Sequence, residues 1–62
     1  DEFDKQILFH LSKGTLVEDM PQYIPISINA IEKRKLSLKE LLKVKSGLDE
    51  DLLKEAKSKG LF

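Results

Sequence analysis

The absence of cysteine from so short a chain is the feature that most constrains this sequence. Its 62 residues form a single domain over residues 1–62, and no disulfide can stabilise it. One histidine, His10, cannot build a zinc site or a catalytic pair alone. The core must therefore be held by packing, which favours helices that each bury one face. We expect no metal, no cofactor and no enzymatic activity.

Glycines and caps divide the chain into four predicted helices. The first runs from about residue 2 to 13, with Asp1 as its cap and apolar residues at three- and four-residue spacing. A glycine in the left-handed conformation commonly ends a helix. Such a glycine follows three of the helix-like stretches, at Gly14, Gly47 and Gly60.

The second predicted helix contains a proline. Thr15 and Glu18 form a capping-box pattern that predicts its start, and Asp19 with Gln22 forms an alternative one that would put Pro21 in the first turn. Pro21 removes a backbone donor, so we expect this helix to be kinked or shortened and to end before Pro25. Its predicted buried side consists of Leu16, Met20, Tyr23 and Ile24.

The third and fourth predicted helices are amphipathic. Ser27 is the expected N-cap of helix 3, which spans residues 28 to about 44. Helix 4 begins at Asp49, and Leu61 and Phe62 are expected to fold back onto it. No segment alternates as a strand does, so the predicted fold class is all-α with four helices. The predicted core face of helix 3 consists of Ile31, Leu38 and Leu42, with Leu41 at its edge.

Positive charge is concentrated in one segment although the formal net charge of the chain is zero. Residues 32–45 hold six basic and two acidic residues, a net of +4, whereas residues 1–31 have a net of −3 and residues 46–62 a net of −1. This segment is a candidate nucleic-acid interface. The alternative is an ordinary solvated helix face of lysines and glutamates.

Several runs of sequence together resemble a known family of DNA-binding domains. They include Leu11-Ser12-Lys13-Gly14, Ile24-Pro25-Ile26-Ser27, Ala30-Ile31-Glu32-Lys33 and the closing Gly60-Leu61-Phe62. In their spacing the chain resembles the LuxR-type (NarL/FixJ-type) helix-turn-helix domain of bacterial response regulators and quorum sensors. The chain departs from that pattern at Pro21, Arg34 and Leu41, where the family usually has a small residue, a histidine and a lysine.

The resemblance implies a function. Helices 2 and 3 would form the helix-turn-helix, and helix 3 would enter the major groove of double-stranded DNA. The chain would be the C-terminal output domain of a two-component response regulator, with an N-terminal receiver or sensor domain outside this sequence. It would regulate transcription as a homodimer on an inverted repeat. With no signal peptide or membrane span in the sequence, we expect it in the cytoplasm.

Four residues are candidates for reading bases. A helical wheel places them on the side of helix 3 that faces away from the core. Lys33 could donate to guanine, Glu32 could accept from cytosine, and Leu36 could contact a thymine methyl. For Glu32 the alternative is screening of neighbouring lysines, and for Leu36 an ordinary exposed leucine. The base-reading candidates are Asn29, Glu32, Lys33 and Leu36.

Other residues are candidates for phosphate contacts and dimer formation. Phosphate contacts fix the position of a protein on DNA without reading sequence. Rival functions are a protein–protein interaction module using the basic helix face, and promoter recognition of the sigma-factor type. The phosphate candidates are Ser27, Arg34, Lys35, Lys39 and Lys43, and the dimer candidates are Leu48 and Leu52 on helix 4, which the core also needs.

Overall fold

The computed structural model describes residues 2–62, which form four helices and no strand. The helices are α1 (Glu2–Ser12), a short 3-10 helix (Val17–Gln22), α2 (Ile28–Leu41) and α3 (Asp49–Ser58). The predicted all-α class is confirmed, whereas the predicted cap at Asp1 lies outside the described residues. None of the helices in this part of the chain is long and apolar enough to cross a membrane.

The second helix is tighter than an α-helix. Pro21 lies inside it, where an α-helical bond to the carbonyl of Val17 would need the amide that proline lacks. The capping box predicted from Thr15 and Glu18 is wrong, because the N-cap is Leu16 in extended conformation and no side chain caps the helix. The expectation of a shortened helix that ends before the second proline is confirmed.

Half of the predicted buried side of this helix is confirmed. Met20 and Ile24 are fully buried, but Leu16 and Tyr23 are exposed. The prediction assumed an α-helical period, and the 3-10 helix already ends at Gln22. Tyr23 lies beyond that end and stacks on His10 of α1, with 5.0 Å between ring centroids.

Helix α2, the third predicted helix, begins as expected. The Ser27 hydroxyl oxygen accepts a hydrogen bond from the Ala30 backbone N–H at 3.2 Å, which satisfies one of the free amides of the first turn. Ile31 and Leu38 are buried on its inner side. Leu41 is 71% exposed and lies outside the core rather than at its edge.

The end of α2 differs from the prediction. The helix stops at Leu41 rather than near Val44, because Lys43 adopts a left-handed conformation with φ 58°. Its N–H donates to the Glu40 carbonyl at 3.2 Å, and the Val44 N–H donates to the Lys39 carbonyl at 2.8 Å. This is a Schellman motif, in which glycine is the usual left-handed residue. A lysine there costs roughly 1 kcal/mol.

Left-handed glycines follow the other two α-helices. Gly14 and Gly60 have φ of +83° and +71°, as predicted, whereas Gly47 is not left-handed and the prediction for it is wrong. After Gly60 the chain folds back, and the Leu61 N–H donates to the Ala56 carbonyl at 2.9 Å. Leu61 packs on the core as expected, but Phe62 remains 39% exposed.

Two hydrophobic clusters share α1. Neighbouring residues of that helix enter different clusters, Ile7 one and Leu8 the other, and Leu11 packs against both. Because α2 also contributes one residue to each cluster, its rotation about its own axis is fixed. The first cluster consists of Leu8, Leu38, Leu42, Leu52 and Ala56, and the second of Ile7, Met20, Ile24 and Ile31.

Two leucines near the start of α3 provide a matched test of this core. Leu52 is fully buried and Leu48 is 56% exposed. We expect Leu52→Ala to lower the free energy of unfolding by about 2–5 kcal/mol, enough to unfold much of so small a domain. Leu48→Ala should change it by about 0.5 kcal/mol or less. Urea unfolding followed by circular dichroism measures both, and equal losses would contradict the assigned core.

Candidate nucleic-acid interface

Helix α2 presents an exposed strip on the side opposite the core. Burial of Ile31 and Leu38 turns the four base-reading candidates outward, and all four are exposed, with Leu36 at 62%. The strip covers seven residue steps, or about 10 Å at 1.5 Å per residue. We call it the outward strip; it consists of Asn29, Glu32, Lys33 and Leu36.

The outward strip offers chemically different groups to a ligand. Lys33 carries donors, Glu32 carries acceptors, and the Asn29 amide carries both. None of these three polar side chains makes a hydrogen bond or ion pair with another residue of the described chain. Their hydrogen-bonding capacity is therefore available to a partner, and Leu36 adds a methyl surface one turn after Glu32 and Lys33.

Arg34, a phosphate candidate, is bound to α1. Its guanidinium lies 3.3 Å from the carboxylate of Asp4 and 5.2 Å from the ring centroid of Phe3. Its side chain is only about a third exposed. Arg34 therefore contributes to the contact between α1 and α2 in the free protein, and its charge is partly neutralised there.

Lys35 and Lys39 share one carboxylate. Their ammonium groups lie 3.2 and 3.6 Å from Asp49 at the first turn of α3, and both side chains are mostly buried, at 12% and 19% exposure. The ammonium of Lys39 also donates to the Gly47 carbonyl at 3.5 Å. The sequence placed Asp49 only at a helix start, and the spacing between residues 35, 39 and 49 gave no signal of this contact.

The two remaining phosphate candidates are more accessible. Lys43 is exposed and makes no ion pair in the described part of the chain. Ser27 is exposed, and although its oxygen caps α2, its hydroxyl can still donate to a phosphate oxygen. Both lie at ends of α2, one before its first turn and one after its last.

The dimer candidates differ in accessibility. Leu52 is fully buried in the cluster with Leu8 and Leu38, so the prediction that it forms a dimer interface is corrected: it is a core residue. A side chain with no exposed surface cannot contact a partner chain, so Leu52 contributes to the stability of the fold instead. Leu48, at the N-cap of α3, is exposed and can still contact a partner.

Comparison of the chain with protein-family models, curated proteins and solved structures finds no match. Among residues 2–62, no three histidine or acidic side chains converge as metal ligands. The resemblance to LuxR-type domains stays a prediction.

Proposed function

We propose that this domain binds double-stranded DNA and regulates transcription, with α2 as the recognition helix in the major groove. The observation that carries the proposal is the outward strip, a set of exposed and mutually different side chains between the second and ninth residues of a 14-residue helix whose other face is buried. Donors, acceptors and a methyl surface are what base edges in the major groove require. An α-helix with side chains is about 10–12 Å wide and fits a groove of about 12 Å.

The support behind α2 is consistent with a helix-turn-helix. The 3-10 helix packs against α2 through the cluster formed by Met20, Ile24 and Ile31. Helix α1 packs against both of them from within the core. A recognition helix supported in this way leaves its outward side free for the groove.

The ion pairs that α2 forms with α1 and α3 affect its proposed affinity for DNA. The Lys35 and Lys39 side chains are mostly buried, but their partner Asp49 is 43% exposed, so solvent partly screens these ion pairs and a DNA phosphate can replace the carboxylate at a cost of roughly 1 kcal/mol. The phosphate contact also releases counterions from DNA, which favours binding at low salt. We infer that Arg34, Lys35 and Lys39 exchange Asp4 and Asp49 for phosphates on binding, and that these acids lower the affinity.

Removing the shared carboxylate tests this inference. We expect Asp49→Asn to raise the affinity for duplex DNA about fivefold, the equivalent of an ion pair of about 1 kcal/mol. Glu50→Gln is the matched control, because it removes the same charge from the adjacent, exposed position. Fluorescence anisotropy with a labelled duplex measures both. An equal gain for the control would mean that only net charge changed.

A second pair of variants separates base reading from phosphate binding. Lys33→Ala should change the sequences that the domain selects from a random duplex pool, with a loss of about 1–3 kcal/mol on the preferred site. Lys39→Ala should weaken binding to preferred and random duplexes alike. Selection followed by anisotropy gives both numbers. If the two variants lose the same affinity on every sequence, the outward strip does not read bases.

The resemblance extends the proposal to the whole regulator. This domain would be the output domain of a two-component response regulator in the cytoplasm, joined to an N-terminal receiver or sensor domain. On an inverted repeat it would act as a homodimer, and exposed Leu48 at the start of α3 is the residue that supports this arrangement.

A protein-binding module is the second candidate. It is favoured by the ion-paired state of Arg34, Lys35 and Lys39, together with the exposed leucines Leu36 and Leu41 on the same helix. Such a module would bind an acidic protein partner through the basic face of α2 and would not bind duplex DNA. Salt-dependent binding of the isolated domain to duplex DNA therefore distinguishes the two functions.

A further inference from the structure

A groove beside the end of α2 is lined by lysines that form no ion pair with any acidic residue of the described chain. It has a volume of about 540 Å³ and lies between the α2–α3 connection and α3. Asp51 and Glu55 also line it. We call it the lysine groove; its basic residues are Lys43, Lys45, Lys54 and Lys59.

The lysine groove differs from the basic flank of α2. The ammonium groups of Lys35 and Lys39 are bound to Asp49, whereas none of the four groove lysines forms an ion pair within residues 2–62. Asp51 accepts a hydrogen bond from the Ser46 hydroxyl at 2.6 Å, so one of its oxygens is occupied. Four exposed lysines against two carboxylates leave an excess of positive charge, which favours an anion.

The backbone at Lys43 is a second, independent observation. This residue is left-handed at φ 58°, where the chain uses glycine at its two comparable helix ends, Gly14 and Gly60. A non-glycine residue in this conformation destabilises the fold, and such strain is often retained where the side chain has a function. Among residues 2–62, Lys43 is the one non-glycine residue in the left-handed region, and it lines the groove.

The position of the groove indicates which anion it binds. Leu41, the last residue of α2, follows Leu36 by five residues, or about 7.5 Å along the helix axis, and Lys43 comes two residues later. With Leu36 at the base edges of a major groove about 12 Å wide, the end of α2 would lie at the phosphates that border the groove. We propose that the lysine groove binds the phosphodiester backbone there, with Lys54 and Lys59 of α3 as phosphate ligands; this rests on the proposed function.

The experiment compares two double variants of the chain. Lys54→Gln/Lys59→Gln removes two groove charges, and Lys5→Gln/Lys57→Gln removes two exposed charges that do not line the groove. Each lost phosphate contact should lower the slope of log affinity against log salt by about 0.9, so the groove variant should lose about 1.8 on preferred and random duplexes alike. The control should keep the wild-type slope. Equal slopes for the two variants would overturn the proposal and leave the proposed function intact.

The variant Lys43→Gly distinguishes a phosphate-binding role of Lys43 from a purely structural one. Glycine should raise the unfolding temperature, because it relieves the left-handed strain. If Lys43 binds phosphate, the same variant should lose DNA affinity and about 0.9 of the salt slope. A more stable variant with unchanged DNA binding would overturn the role of Lys43.

Failure of DNA binding by the wild-type chain would overturn the proposed function, and with it the phosphodiester backbone as the ligand of the groove. If the wild-type chain does not bind DNA, a titration with tripolyphosphate, followed by NMR, tests whether the lysine groove still binds phosphate. Shifts confined to the groove, and lost in Lys54→Gln/Lys59→Gln, would support a phosphate site and identify free polyphosphate as the source. An unchanged spectrum would overturn the site itself.

Discussion

The packing of α1 between the other helices is the contact on which the rest of the structure depends. Ile7 and Leu8 are adjacent in sequence, yet each belongs to a different cluster, so a single helix joins both halves of the core. Helix α2 contacts the same two clusters through Ile31 and Leu38. These two contacts fix which side of α2 faces outward. The exposed position of Lys33 and Leu36 is therefore a consequence of core packing rather than of their own interactions.

The basic residues near α2 and α3 differ in whether an acidic residue of the described chain neutralises them. Asp4 and Asp49 join α2 to α1 and α3 by binding Arg34, Lys35 and Lys39, which neutralises charge that a DNA ligand would use. Farther along, the lysines beside α3 have no such partners in the described chain and keep their charge available. The segment that the sequence identifies as basic is thus divided into an ion-paired flank and an unpaired groove. Net charge alone does not reveal this division.

The parts of the fold that were predictable are those set by local chemistry. Ser27 as an N-cap, and Ile31 and Leu38 on one helical face, follow from side-chain type and period, and the structure confirms them. The helix containing Pro21 is short as expected, but it is a 3-10 helix, so the α-helical period that predicts Leu16 and Tyr23 in the core does not apply to it. All four base-reading candidates are exposed, as the helical wheel predicts. The wheel requires only that the buried face of the helix be known.

What the sequence did not predict depends on contacts between distant residues or on backbone strain. No spacing rule links Lys35 to Asp49 across 14 positions, and propensity would not place Lys43 rather than Gly47 in the left-handed region. From the sequence alone, Leu52 could belong either to the core or to a dimer interface. Its packing in the cluster with Leu8 and Leu38 shows that it is a core residue.

The most direct test of DNA binding by α2 is an NMR titration of the isotopically labelled chain with a mixed-sequence duplex at low salt. Binding as proposed should shift the backbone amides of residues 27–43 and weaken steeply as salt is added. Amides at the far end of α1, near the His10–Tyr23 stack, should change least. An unchanged spectrum at millimolar duplex, or shifts confined to α1, would contradict the account and favour a protein-binding role for the exposed face of α2.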